Sequence, residues 1–90
     1  MKLSKEKRDK ISEQVLAYLF QSFPHQKFTA EISREIARDE EFIKTLMFDL
    51  KEKGLVVAIK KNAKGEPFIR RLRWQLSSKA YAAYSQKAGQ

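Results

Sequence analysis

Between Ser4 and Ser22 the apolar residues recur three and four positions apart. Ile11, Val15, Tyr18 and Leu19 fall on one face, and Leu16, Phe20 and Phe23 widen it. This spacing predicts an amphipathic helix over 4–22. The apolar arc is broad enough for contacts on two sides, within the chain's own fold or with one edge lent to a second copy. Ser4 is the expected N-cap, and Pro24, which has no N–H, ends the helix. Phe28 is expected to begin a very short strand. Thr29 is the expected N-cap of a second helix over 30–38, with Ile32 and Ile36 inward. Glu31 lies in its first turn, where the helix dipole favours an acid. Asp39 is expected to cap a third helix over 40–53. Its inward stripe is Ile43, Met47 and Leu50, flanked by Phe42 and Leu46, and Gly54 takes the position just past its end.

After Gly54 the period changes from helical to strand-like. Leu55-Val56-Val57-Ala58-Ile59 is an apolar, β-branched run. Asn62-Ala63-Lys64-Gly65-Glu66 supplies turn residues. The chain returns as a strand from Phe68 to Leu76, with Leu72, Trp74 and Leu76 on one side and Arg71, Arg73 and Gln75 on the other. This predicts a hairpin over 55–76 with a basic outer face. Ser77 or Ser78 caps a last short helix over 78–87, carrying Tyr81 and Tyr84. The expected whole is one α+β domain over residues 1–90: three helices, a hairpin and a fourth helix.

Charge sharpens this picture. The 90 residues carry a formal net charge of +8, and its distribution is uneven. Residues 1–10 hold five basic and two acidic groups, +3; residues 11–54 hold six and eight, −2; residues 55–90 hold eight and one, +7. Lys60, Lys61, Lys64, Arg70, Arg71 and Arg73 surround one hairpin against the single acid Glu66. Segregated cations point to an anionic partner. The plainer alternative is a solvated hairpin whose charge discourages edge-to-edge pairing.

Other chemistries find little support. There is no cysteine, so disulfides and thiolate metal sites are excluded, and an intracellular setting (cytoplasm or nucleoid) is the expectation. His25 is the only histidine, and no cofactor or metal is expected. The three glycines are far apart and form no phosphate loop. No apolar run approaches the roughly 20 residues of a membrane-spanning helix. No cleft with a carboxylate and a partner base is indicated, so neither an enzyme nor a small-molecule substrate is expected.

Three local signatures resemble the winged helix-turn-helix family. Thr29-Ala30-Glu31-Ile32 is similar to the usual opening of the family's second helix. Leu50-Lys51-Glu52-Lys53-Gly54-Leu55-Val56 is similar to the end of helix three and the entry into the wing. Trp74-Gln75-Leu76-Ser77-Ser78-Lys79-Ala80 resembles the end of the wing and the cap of the last helix. The resemblance is strongest from Phe28 to Tyr84.

The resemblance implies that helix three lies near the major groove of double-stranded DNA and that the wing touches the backbone, as in a small transcription regulator or chromatin-associated factor. Helix three presents Glu41, Lys44, Thr45, Phe48 and Glu52 opposite its apolar stripe. Lys44 and Thr45 suit base or phosphate contact, but the helix opens with Asp39-Glu40-Glu41. Carboxylates repel phosphate, and among base edges only cytosine N4 donates to them naturally. The expected interface is therefore dominated by the wing: Lys60, Lys61, Lys64, Arg70, Arg71 and Arg73. The N-terminal Lys5, Lys7, Arg8 and Lys10 are candidates for a flanking phosphate. Phe48 has three readings: packing under a loop, anchoring a protein partner, or touching a thymine methyl. Binding of RNA and homodimerisation through the first and last helices stay open, as does a protein-interaction role centred on Phe48.

Overall fold

The structure, a computed structural model, describes residues 4–60 and 72–88. In chain order the elements are α1 (Lys5–Ser22), β1 (Lys27–Phe28), α2 (Thr29–Ile36), α3 (Glu40–Glu52), β2 (Val56–Ile59), β3 (Arg73–Leu76) and α4 (Ser78–Ala88). The three strands form one antiparallel sheet in the order β1-β3-β2. Trp74 of the central strand stands opposite Ala58 on one side and Lys27 on the other.

The caps explain where the helices begin. The Ser4 hydroxyl accepts from the Lys7 amide at 3.2 Å, and the Asp39 carboxylate accepts from the Phe42 amide at 3.2 Å. Both satisfy amides that a helix start leaves without partners. Thr29, expected as the cap of α2, is instead its first residue, and Phe28 is the N-cap. The reason is that the Thr29 hydroxyl is engaged elsewhere, while the Glu31 carboxylate reaches back to the Phe28 amide at 2.8 Å.

The ends of α2 and α3 differ from each other. The expected helix over 30–38 stops at Ile36, because Ala37 takes a left-handed conformation (φ 60°, ψ 47°). A side chain with a Cβ is disfavoured there by roughly 1–2 kcal/mol. At the end of α3 the same turn falls to Gly54 (φ 76°), which has no Cβ to clash. The Leu55 amide then bonds the Leu50 carbonyl at 3.0 Å and closes the helix.

One core joins all the layers. Ile11, Val15 and Leu19 of α1 meet Ile32 of α2, Ile43, Leu46, Met47 and Leu50 of α3, Val56 of β2, and Trp74 and Leu76 of β3. Each such aliphatic side chain, fully buried, contributes about 1.5–3 kcal/mol. Trp74 is completely buried, as its alternation with Leu72 and Leu76 predicts. The wide arc of α1 is also accounted for within the chain. Phe23 stacks on Tyr81 at 4.0 Å between ring centroids, and Phe20 lies 5.6 Å from Tyr84. The core thus takes one side of α1, and α4 takes the other. Among the described residues no helix is long and apolar enough to cross a membrane.

Candidate nucleic-acid interface

The exposed face of α3 is the one the helical spacing predicts. Glu41, Lys44, Thr45, Phe48 and Glu52 are all exposed, whereas Ile43, Leu46, Met47 and Leu50 are buried. The Thr45 hydroxyl donates to the Glu41 carbonyl one turn earlier at 3.1 Å, so its proton is committed and its oxygen is left to accept. Lys44 projects from the same face.

Phe48 is 38% exposed, yet it is not loose. Its ring and the Trp74 indole lie edge-to-face, at 88° with centroids 5.4 Å apart. Aromatic pairs in this edge-on geometry add about 0.5–1.5 kcal/mol beyond buried area. The Lys51 ammonium sits 6.0 Å from the centre of the same ring. Phe48 therefore tethers the outer face of α3 to the central strand of the sheet.

At the wing, the two faces of the hairpin separate as expected. Val56, Ala58, Trp74 and Leu76 turn inward, and Val57, Ile59, Arg73 and Gln75 lie on the other side. Lys60 is exposed where β2 ends. Arg73 is half-buried, with its guanidinium 4.6 Å from the centre of the Phe28 ring, the neighbour it faces in the β1–β3 register. A guanidinium held over an aromatic face is attracted by the ring's negative quadrupole. Arg73 thus packs on the sheet at Phe28 and keeps part of its side chain exposed. Lys61, Lys64, Arg70 and Arg71 lie outside the described residues.

Two groups elsewhere escaped sequence reasoning. Arg8, grouped with the N-terminal cations, forms an ion pair with Asp49 on the flank of α3. Arg38 stands beside Lys7 and Lys10 of α1, across a turn that only the fold brings near them. Neither juxtaposition has a local signature, because the partners are far apart in sequence. His25 is exposed, and among the described residues no three metal-ligating side chains come together.

No family model matches the sequence, and no curated protein matches it. Solved structures do resemble the fold. MepR of S. aureus in its DNA-binding conformation aligns with a TM-score of 0.71 at 16% identity, over 88% of this chain and 55% of that one. The S. aureus MepR–DNA complex gives 0.69 at 20% identity, over 90% and 66%. ZitR of Lactococcus lactis, a zinc-responsive MarR family member, gives 0.66 at 18% identity, over 99% and 54%. The chain therefore spans between about half and two thirds of these proteins' length. With helices and sheet in the same arrangement, the chain has the winged helix-turn-helix fold: α2 and α3 are the helix-turn-helix, and β2 and β3 belong to the wing.

Proposed function

We propose that this chain binds double-stranded DNA, as a small transcription regulator or chromatin-associated factor, through contacts dominated by the wing. The observation that carries the proposal is the placement of charge. Residues 55–90, the wing and the last helix, hold +7, whereas residues 11–54 hold −2. The fold is shared with a protein solved in complex with DNA, which supports the same reading. Lys60, Lys61, Lys64, Arg70, Arg71 and Arg73 contact phosphates, and Lys44 and Thr45 face the groove. Phosphate contacts give affinity and position without reading sequence.

The test is fluorescence anisotropy with labelled duplex DNA over a series of salt concentrations, with duplex RNA in parallel. Log affinity should fall linearly with log salt at about −0.9 per contacted phosphate, with about 3–6 contacts. The double substitution Lys61→Ala and Arg71→Ala should weaken all sequences alike. No binding at low salt would sink the proposal, and tighter binding of duplex RNA would redirect it.

One observation favours a second reading, a protein-interaction module. Phe48 presents 38% of its surface at the centre of a face that also carries Glu41 and Glu52. If that reading is right, Phe48→Ala abolishes capture of a partner while the duplex titration is unchanged. A homodimer, which suits twofold-symmetric sites, would use the exposed edge of Tyr81 and the outer sides of α1 and α4. Light scattering on the purified chain decides between one copy and two.

A further inference from the structure

The basic residues at the start of α1 divide into two sets. Arg8 turns onto α3 and pairs with Asp49. Lys7 and Lys10 lie on a different side. Together with Ile11, Gln14 and Arg38 they line a hollow of about 340 Å³ between α1 and the turn after α2. The lining contains three cations and no carboxylate. Among the described residues none of the three cations forms an ion pair. Like charges gathered around one hollow repel one another, and an anion between them reverses the sign of that interaction.

Arg38 is set at this hollow by its backbone. Left-handed Ala37 turns the chain away from the axis of α2. The Arg38 amide then donates to the Ser33 carbonyl at 3.1 Å, and the Ser33 hydroxyl donates to the Arg38 carbonyl at 2.6 Å. One serine thus holds both backbone polar groups of Arg38. Strained conformations at residues other than glycine persist where the surroundings over-determine them, and they cluster at functional positions.

We propose that this hollow is a phosphate-binding site. Lys7 and Lys10 supply point charges, the Arg38 guanidinium supplies a planar fork of N–H donors suited to an oxyanion, and the Gln14 amide adds a neutral donor. The phosphate belongs either to a duplex backbone or to a soluble phosphate ester. The site is built from α1 and the α2–α3 turn, so it stands or falls separately from the wing.

The experiment uses the full chain and two readouts. In the first, backbone amide NMR shifts are followed while inorganic phosphate replaces chloride at fixed ionic strength. Saturable shifts are expected at Lys10, Gln14 and Arg38, and they vanish in the double variant Lys10→Gln, Arg38→Gln. Both side chains are exposed, so the variant should keep the wild-type spectrum elsewhere; Lys7→Gln alone, with a weaker saturable shift, serves if it does not. In the second, the variants are titrated with labelled duplex over a salt series. If the phosphate comes from DNA, loss of two contacts lowers the steepness of the salt dependence by about 1.8, and this outcome supports the site whether or not free phosphate saturates. An unchanged salt dependence beside saturable phosphate binding assigns the site to a soluble ester. Shifts that are linear and unaltered in the variants, together with an unchanged salt dependence, overturn the proposal. If the chain binds no duplex at all, the NMR readout alone decides.

Discussion

The indole N–H of Trp74 donates to the hydroxyl of Thr29 at 2.8 Å, and both side chains are buried. One bond therefore joins the first residue of α2 to the central strand of the sheet, 45 positions later in the chain. Helix-turn-helix and wing are linked by a polar contact inside an otherwise apolar core. Thr29→Val keeps the shape and removes the acceptor. The indole N–H is then buried without a partner, at a cost of about 1–3 kcal/mol. Urea denaturation should show that loss for Val and a much smaller one for Thr29→Ser. Equal midpoints for Val and wild type would mean that the bond adds nothing.

Ala37→Gly should stabilise the chain. Two effects of opposite sign compete. The left-handed conformation disfavours alanine by roughly 1–2 kcal/mol, while glycine makes the unfolded chain more flexible at a cost of about 0.4–1 kcal/mol. The first is larger, so a small rise in the thermal midpoint is expected. A fall would show that Ala37 has favourable contacts that outweigh its strain.

The pair between Arg8 and Asp49 leads to a prediction about affinity rather than stability. Both side chains are substantially exposed, at 35% and 47%. Pairs of this kind are worth about 0–1 kcal/mol. Asp49→Asn should therefore leave the urea midpoint nearly unchanged. It also removes a carboxylate from the flank of α3 and releases the Arg8 guanidinium. On the proposed function, duplex affinity rises and its salt dependence steepens. A weaker complex would place Arg8 and Asp49 in a structural role instead.

The surroundings of Tyr84 oppose ionisation of its phenol. Burial holds its phenol above the ordinary tyrosine value, and the nearby Glu13 carboxylate pushes in the same direction. Both causes favour the neutral form in the folded chain. The stabilisation is therefore present in full below the ordinary tyrosine range and is lost as pH rises through the raised value. Ultraviolet difference titration, with Tyr84→Phe as the reference, should show the Tyr84 phenol ionising above the ordinary tyrosine range. Glu13→Gln should bring that step part of the way back, because the burial remains. A titration unaffected by Glu13→Gln would leave burial as the sole cause.

Much of this fold was legible because its signals are local. Ser4, Asp39 and Gly54 each sit at a helix boundary with the side chain, or the lack of one, that the boundary requires. The alternation of Leu72, Trp74 and Leu76 placed the indole in the core. Thr29 suits a cap equally well as a buried acceptor by residue type, and only the distant Trp74 decides which. The end of α2 lies two residues before the expected one, because nothing in alanine announces a left-handed turn. In the candidate interface, the exposed face of α3 followed from spacing alone. The stacking of Arg73 on Phe28 and the meeting of Arg38 with Lys7 and Lys10 did not, since each depends on how separate elements pack.

Ser77 has a further consequence. Its hydroxyl donates to the Gly54 carbonyl at 2.7 Å and accepts from the Ala80 amide at 3.1 Å, while its own amide donates to the Leu55 carbonyl at 3.0 Å. The place where the chain leaves α3 is thereby fastened to the place where it enters α4. Everything between forms a closed circuit with a fixed gate. The way α3 meets α4 is therefore set by these three bonds rather than by the tip of the wing. Descendants of this chain could change what the wing carries while inheriting the junction of α3 and α4 intact.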